Sequence, residues 1–316
     1  MQDFDGLAAA PKIVITEYLS TRDLVNLAQI SKAYSKLFAP MIDVRKLLHH
    51  ATRGEHDKVE AMLKKDMSLM FKRGNVTDCS GRTFDNISAF EYALWALDKN
   101  MWAVMIGCIP SNEEGRKVFE KLSAQYNKVN TDGVTYRLNG KTITENHFDF
   151  KNTIIKELQT QLDSRNAPGD NNWDAIDKQW REGVGGAQKL LPMHIVYEYC
   201  SNEPFYPVPM FTSQPKSSKK IYNLTTEQDE DWFNVDSKLG IEFAVHKGCF
   251  EYASGWQVTG CADAGVWRYC LPRVVAEYDL NVMKALCKVR TYDFIDLRSQ
   301  LEEQMKLDNH HQVVPI

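Results

Sequence analysis

Residues 20–37 read STRDLVNLAQISKAYSKL and residues 45–64 read RKLLHHATRGEHDKVEAMLK. In the first stretch Leu24, Leu27, Ile30, Tyr34 and Leu37 follow one another at steps of three, three, four and three, which is one face of a helix. Ser20-Thr21-Arg22-Asp23 ahead of it supplies hydroxyl and carboxylate groups for an N-terminal cap. Ile15, Tyr18 and Leu19 form a shorter apolar cluster that suits a preceding helix begun at Pro11. In the second stretch Leu47, Leu48 and Ala51 share a face, Arg53-Gly54-Glu55 interrupts it, and Val59, Met62 and Leu63 resume it. These readings predict short helices packed in pairs, and a mainly α fold.

The helix-pair pattern returns 42 residues on. Ala89, Phe90 and Ala93 repeat Leu47, Leu48 and Ala51, while Met101, Val104 and Met105 repeat Val59, Met62 and Leu63. Small residues at Ala51 and Ala93 suit closely stacked helices, each unit burying its apolar face on the next. The extra length of the repeat is expected between Met70 and Gly81. Further on, Val134–Leu138 and Lys141–Thr144 flank Asn139-Gly140, a hairpin signal; it is expected to decorate an otherwise helical region. Helices are expected near 150–165, 173–182 and 187–200, with Gly183-Val184-Gly185-Gly186 as a break. Pro204–Pro215 carries four prolines among Phe205, Tyr206, Met210 and Phe211, an extended strap.

Composition narrows the function. Of 316 residues, 43% are hydrophobic and 25% charged, the balance of a globular chain of two or three folding units. A net charge of −4 argues against a nucleic-acid binder that relies on phosphate neutralisation. Seven cysteines fit free thiols in a reducing compartment. No apolar run is long enough for a membrane span, and Met1–Asp5 is acidic where a secretory signal would be basic.

Motifs for chemistry are sparse. No phosphate loop is present, and Gly183–Gly186 lacks the spacing of a dinucleotide fingerprint. His246, Cys249, Cys261 and Cys270 supply soft ligands but only one close pair, against the two of a structural zinc site, so buried free cysteines are the expectation. Cys200 or Cys79 with His194 or His147 could form a thiol pair, yet nothing local marks a nucleophile. Glu302 and Glu303 are adjacent on a helix and do not face one another. The expectation is a protein without catalytic residues, cofactor or metal.

The segment Leu7–Phe38, LAAAPKIVITEYLSTRDLVNLAQISKAYSKLF, resembles an F-box. The likeness runs through Leu7, Ile15, Tyr18-Leu19-Ser20, Asp23-Leu24, Leu27, Ile30-Ser31-Lys32, Tyr34 and Leu37, and from Leu19 to Leu37 it needs no gap. Ala8 stands where that family usually has proline. The two helix pairs resemble ankyrin repeats through Leu48-x-x-Ala51-x-x-Gly54 and the Gly81-Arg82-Thr83 turn, with a period longer than that family's ~33. A divergent third unit, from Phe243–Gly248 to Asp279–Leu286, is also expected.

The order of these parts resembles the F-box effectors that intracellular bacterial pathogens deliver into host cells, as do the phrases Gly81–Phe84, Tyr92–Asp98 and Trp173–Tyr199 and the acidic-then-apolar tail from Leu301 to Ile316. The resemblance implies an F-box at 1–40, ankyrin-like repeats at 44–127 and a mostly helical region at 128–316. It also implies a place in the host cytoplasm, a Skp-type adaptor and cullin of an SCF ubiquitin ligase as partners, and a host substrate protein. Leu7, Ile15, Leu19, Leu24, Leu27, Ile30, Tyr34 and Leu37 are the implied adaptor contacts, and Leu24→Asp is expected to abolish that contact. An ankyrin-like scaffold without ligase binding, or an enzyme hidden in 128–316, are the alternatives.

Overall fold

The computed structural model describes residues 4–201, 203, 205–215, 221–223, 228–230, 239–241, 244–245, 260–261 and 274–306. The fold is mainly α with a small antiparallel sheet. Two compact units divide it: residues 1–78, 82–147 and 297–316 form the first, and 79–81 with 148–296 the second.

The first unit opens with α1 (Ala9–Glu17), α2 (Thr21–Gln29) and α3 (Lys32–Thr52). Ser20 caps α2 by accepting from Asp23 N, and Ser31 caps α3 by accepting from Tyr34 N. One helix therefore runs through the expected boundary between 40 and 44, with Pro40 inside it. After the turn at Gly54 comes α4 (His56–Leu63), then β1 (Arg73–Thr77) and β2 (Thr83–Ser88). Next are α5 (Ala89–Ala96) and α6 (Lys99–Gly107). A reciprocal capping box between Ser88 and Glu91 starts α5. Helix α3 packs on α5 and α4 on α6, so the two helix pairs stack in register. Leu47, Leu48, Ala51, Val59 and Leu63 are buried, and so are Ala89, Phe90, Ala93, Met101 and Met105.

Helix α7 (Glu113–Asp132), β3 (Val134–Leu138) and β4 (Lys141–Glu145) complete this part of the unit. Asn139 and Gly140 both have positive φ, as their hairpin turn requires. The hairpin is not a lone decoration: it joins a four-stranded sheet in the order β1-β2-β3-β4 through the pairing of Thr83 with Arg137. The hairpin falls within the first unit, whose middle segment runs to residue 147.

Against the sheet, Phe84, Tyr92, Trp95 and Tyr136 pack in tilted and edge-to-face pairs with ring centroids 5.0–5.6 Å apart. The buried Arg82 guanidinium lies 5.2 Å from the Trp95 ring and 5.4 Å from that of Tyr136. Arg82 also sits 3.7 Å from the buried Asp78 carboxylate. Glu145 Oε1 accepts from Trp95 Nε1 at 3.1 Å and from the Tyr136 hydroxyl at 3.0 Å. Residues from two of the effector-like phrases thus form the core of this unit.

The second unit holds α8 (Lys156–Asn166), α9 (Trp173–Lys178), α10 (Gly186–Lys189) and α11 (Met193–Tyr199). Gly183–Gly186 does not break a helix. Gln179–Gly185 is a π-helical stretch that joins α9 to α10, and a Cβ on Gly185 would stand 2.5 Å from the Gly240 carbonyl oxygen, so glycine serves close approach. The break falls instead before Pro192, which caps α11 and has no N–H to continue a helix. Phe205 is buried against Tyr199, their rings 5.4 Å apart, which is how the proline-rich strap begins across this unit.

Short strands β5 (Ile221–Asn223), β6 (Gln228–Glu230) and β7 (Gly260–Cys261) pair in the order β6-β5-β7. Helix α12 (Val274–Gln304) contains Asp279–Leu286 within one continuous run, so this half of the expected third repeat is not a helix pair. Its other residues Phe243 and Gly248, the ligand candidates His246, Cys249 and Cys270, and the tail from 307 lie outside the described residues.

Candidate functional site

Helices α2 and α3 enclose a small core of Leu24, Ala28, Phe38 and Ile42. Val25, Leu27, Tyr34, Leu37 and Met41 pack against it with part of each side chain still open. Tyr34 packs at a tilt against Phe38, with ring centroids 5.6 Å apart, and meets Phe4 edge to face at 6.0 Å. Arg45 of α3 ties α1 into place. Its Nη1 donates to Leu19 O at 2.6 Å, and its Nη2 to Glu17 O at 2.9 Å and Thr16 O at 3.4 Å. A guanidinium there answers the carbonyls and the negative dipole end of α1. Burial lowers the Arg45 pKa, and the Glu17 carboxylate opposes that.

The eight residues implied as adaptor contacts fall into three groups. Leu24 is fully buried. Leu7, Leu19, Leu27, Tyr34 and Leu37 are half-buried. Ile15 and Ile30 are exposed, at 45% and 70%. Leu27, Tyr34 and Leu37 are brought together around the Leu24 core, whereas Ile15 stands on α1 and Ile30 caps the C-terminal end of α2.

Two exposed residues were missing from that set: Val14 at 55% and Tyr18 at 86%. Tyr18, at the C-cap of α1, stands four residues after Val14 and three after Ile15, the spacings of helix neighbours and the signal that could have found them. Large apolar side chains left in water on adjoining helices suit protein contact.

The thiol-pair candidates differ in their exposure. Cys200 and His194 are buried, while Cys79 is half-buried. Burial pushes the thiols of Cys108 and Cys287, which were not among those candidates, up. Among the described residues, no group of three or more His, Cys, Asp or Glu is placed to hold a metal ion, and no helix is long and apolar enough to cross a membrane.

Comparison with known proteins adds a family. Residues 153–301 match the family described as the CBUA0006 C-terminal domain. Over 270 residues the chain is 33% identical to the uncharacterized protein CBUA0006 of Coxiella burnetii (strain RSA 493 / Nine Mile phase I), covering 79% of this chain and 73% of that protein. No solved structure matches.

Proposed function

The chain belongs to the CBUA0006 family, and we propose that it is a non-catalytic substrate receptor of a host SCF ubiquitin ligase. On this reading a bacterium delivers it into the host cytoplasm, where its N-terminal helices bind the Skp-type adaptor. The observation that carries the reading is the set of large apolar side chains that those helices leave in solvent. Val14, Ile15, Tyr18 and Ile30 lie open at 45–86%, at and beside positions the F-box resemblance assigns to contact. The remainder of the chain then holds a host protein near the charged conjugating enzyme. Rate enhancement comes from effective concentration, so the chain needs no catalytic residue.

Titration calorimetry with a eukaryotic Skp-type adaptor tests this. Ile15→Asp and Ile30→Asp alter exposed side chains, so both variants stay folded. Each is expected to weaken binding at least about tenfold, as the loss of an interface anchor does. Unchanged affinity in both would overturn the assignment of these side chains.

One observation favours the scaffold reading instead. Helix α3 serves the N-terminal trio and the first helix pair alike, so the trio also closes the apolar end of the stack, as a capping repeat does. A chain that binds no adaptor yet loses the stability of its repeats when residues 1–31 are removed would support the scaffold.

A further inference from the structure

An open groove of about 460 Å³ lies within the second unit. One wall is α12, whose Lys284, Cys287, Lys288, Thr291 and Tyr292 line it from positions i, i+3, i+4, i+7 and i+8 of one helix face. The other wall is Lys151 and Ile155, the two ends of a π-helical turn that leads into α8. Such turns are rare, and frequent at functional sites.

Three of the lining residues are lysines and none is an aspartate or glutamate, although acids outnumber bases in the chain, 42 to 38. All three lysines are exposed, and among the described residues none of them forms an ion pair. Lys284 donates only to the neutral Gln159 Oε1, at 3.3 Å, and the Lys288 ammonium stands 6.0 Å from the centre of the Tyr292 ring. Of the neighbouring acids, Asp149 accepts from the backbone N–H and the side-chain amide of Asn152. Asp293, next to Tyr292 in the chain, pairs with Arg290 at 3.0 Å. Three ammonium groups are thus left for a ligand.

Charge and size define that ligand. Lysine is a flexible point charge suited to phosphate, and a volume of about 460 Å³ is that of a small-molecule site. With a chain charge of −4, a long polyanion would meet repulsion beyond the groove, whereas a compact one keeps its charge beside the lysines. Ile155 and the Tyr292 ring, 56% exposed, add apolar surface for a carbon skeleton. We infer that this groove binds a compact ligand carrying two or more clustered phosphate groups, held by Lys151, Lys284 and Lys288.

Titration calorimetry on the full chain, without adaptor, tests this with an inositol trisphosphate, and with inositol monophosphate as the comparison on the same ring. The trisphosphate is expected to bind saturably, more tightly than the monophosphate, and more weakly as salt is added. Lys151→Ala, Lys284→Ala and Lys288→Ala together lower its affinity at least about tenfold, the combined scale of three exposed charge pairs. Lys36→Ala, Lys46→Ala and Lys65→Ala together remove the same charge from exposed positions of the first unit and leave the affinity unchanged. Circular dichroism confirms that both triple variants keep the fold, since every altered side chain is on the surface. Co-sedimentation with phosphatidylcholine vesicles, with and without phosphatidylinositol bisphosphate, separates two sources of the ligand. Binding to the lipid that the free trisphosphate competes away assigns a membrane headgroup, and binding to the free compound alone assigns a soluble ligand. Three results overturn the inference: no trisphosphate binding, a monophosphate bound as tightly, or an affinity that the groove variant leaves unchanged or that both triple variants lower equally.

Discussion

Leu24 shows why a periodic stripe does not by itself locate an interface. It lies on the same stripe as Leu27, Ile30 and Leu37, yet it is fully buried while Ile30 is 70% exposed. Leu24→Asp would bury an unpaired carboxylate and unfold the trio, so loss of partner binding in that variant carries no information about contact. Arg45 is informative in another way. Arg45→Ala removes the donors to three carbonyls at the end of α1 and just beyond it, a loss of about 2 kcal/mol for hydrogen bonds from a charged group. Amide exchange in residues 9–19 is expected to speed up while that in α5 stays slow; equal protection in both segments would contradict this role.

Tyr136 ties residue chemistry to pH. Burial, with the Glu145 carboxylate behind it, pushes its phenol from 10.0 up to about 12. The raised value means the folded state keeps its proton where the unfolded chain loses it. This stabilisation is complete below pH 10 and is lost as pH rises through about 12. Denaturant melts across that window are expected to show a shallower decline for Tyr136→Phe than for the parent, and identical declines would refute the assignment.

Elements repeat where the apolar pattern repeats, and their turns show what each position tolerates. Gly54 holds φ +69° after α3, and Leu97 holds φ +57° after α5. Gly54→Ala is expected to cost about 1 kcal/mol, from the left-handed backbone. Leu97→Gly relieves that strain but forfeits the burial of a fully enclosed side chain, worth about 1.5–3 kcal/mol, so it too destabilises. Chemical denaturation of the two variants checks both signs.

The stack was legible because Leu48 with Phe90 and Ala51 with Ala93 are apolar or small at the same spacing and all face inward. Strand β1 was not, since Arg73-Gly74-Asn75-Val76-Thr77 shows no alternation and takes its place from β2 and α3. Gly74 illustrates this: a Cβ there would come 2.9 Å from Val44 Cγ1, so the strand lies tight on the helix. The Gly183–Gly186 run misled because glycine marks breaks and close approaches alike, and only the neighbouring Gly240 backbone distinguishes them.

At the scale of the molecule, contact order in the chain does not follow the sequence. The first unit takes in residues 297–316 and the second takes in 79–81, which no local pattern announces. The exposed apolar residues were legible at Ile15 and Ile30, while Val14 was missed and Tyr18, though part of the F-box likeness, was left out of the contact set, because exposure depends on what the rest of the fold leaves uncovered. The family match, at 33% identity to the Coxiella burnetii protein, extends over most of this architecture. Size-exclusion chromatography with in-line light scattering, on the full chain mixed with a eukaryotic Skp-type adaptor, tests the receptor account most directly. The account predicts a one-to-one complex that Ile15→Asp with Ile30→Asp dissolves into two separately eluting, folded proteins; separate elution of the unaltered chain and adaptor would contradict it.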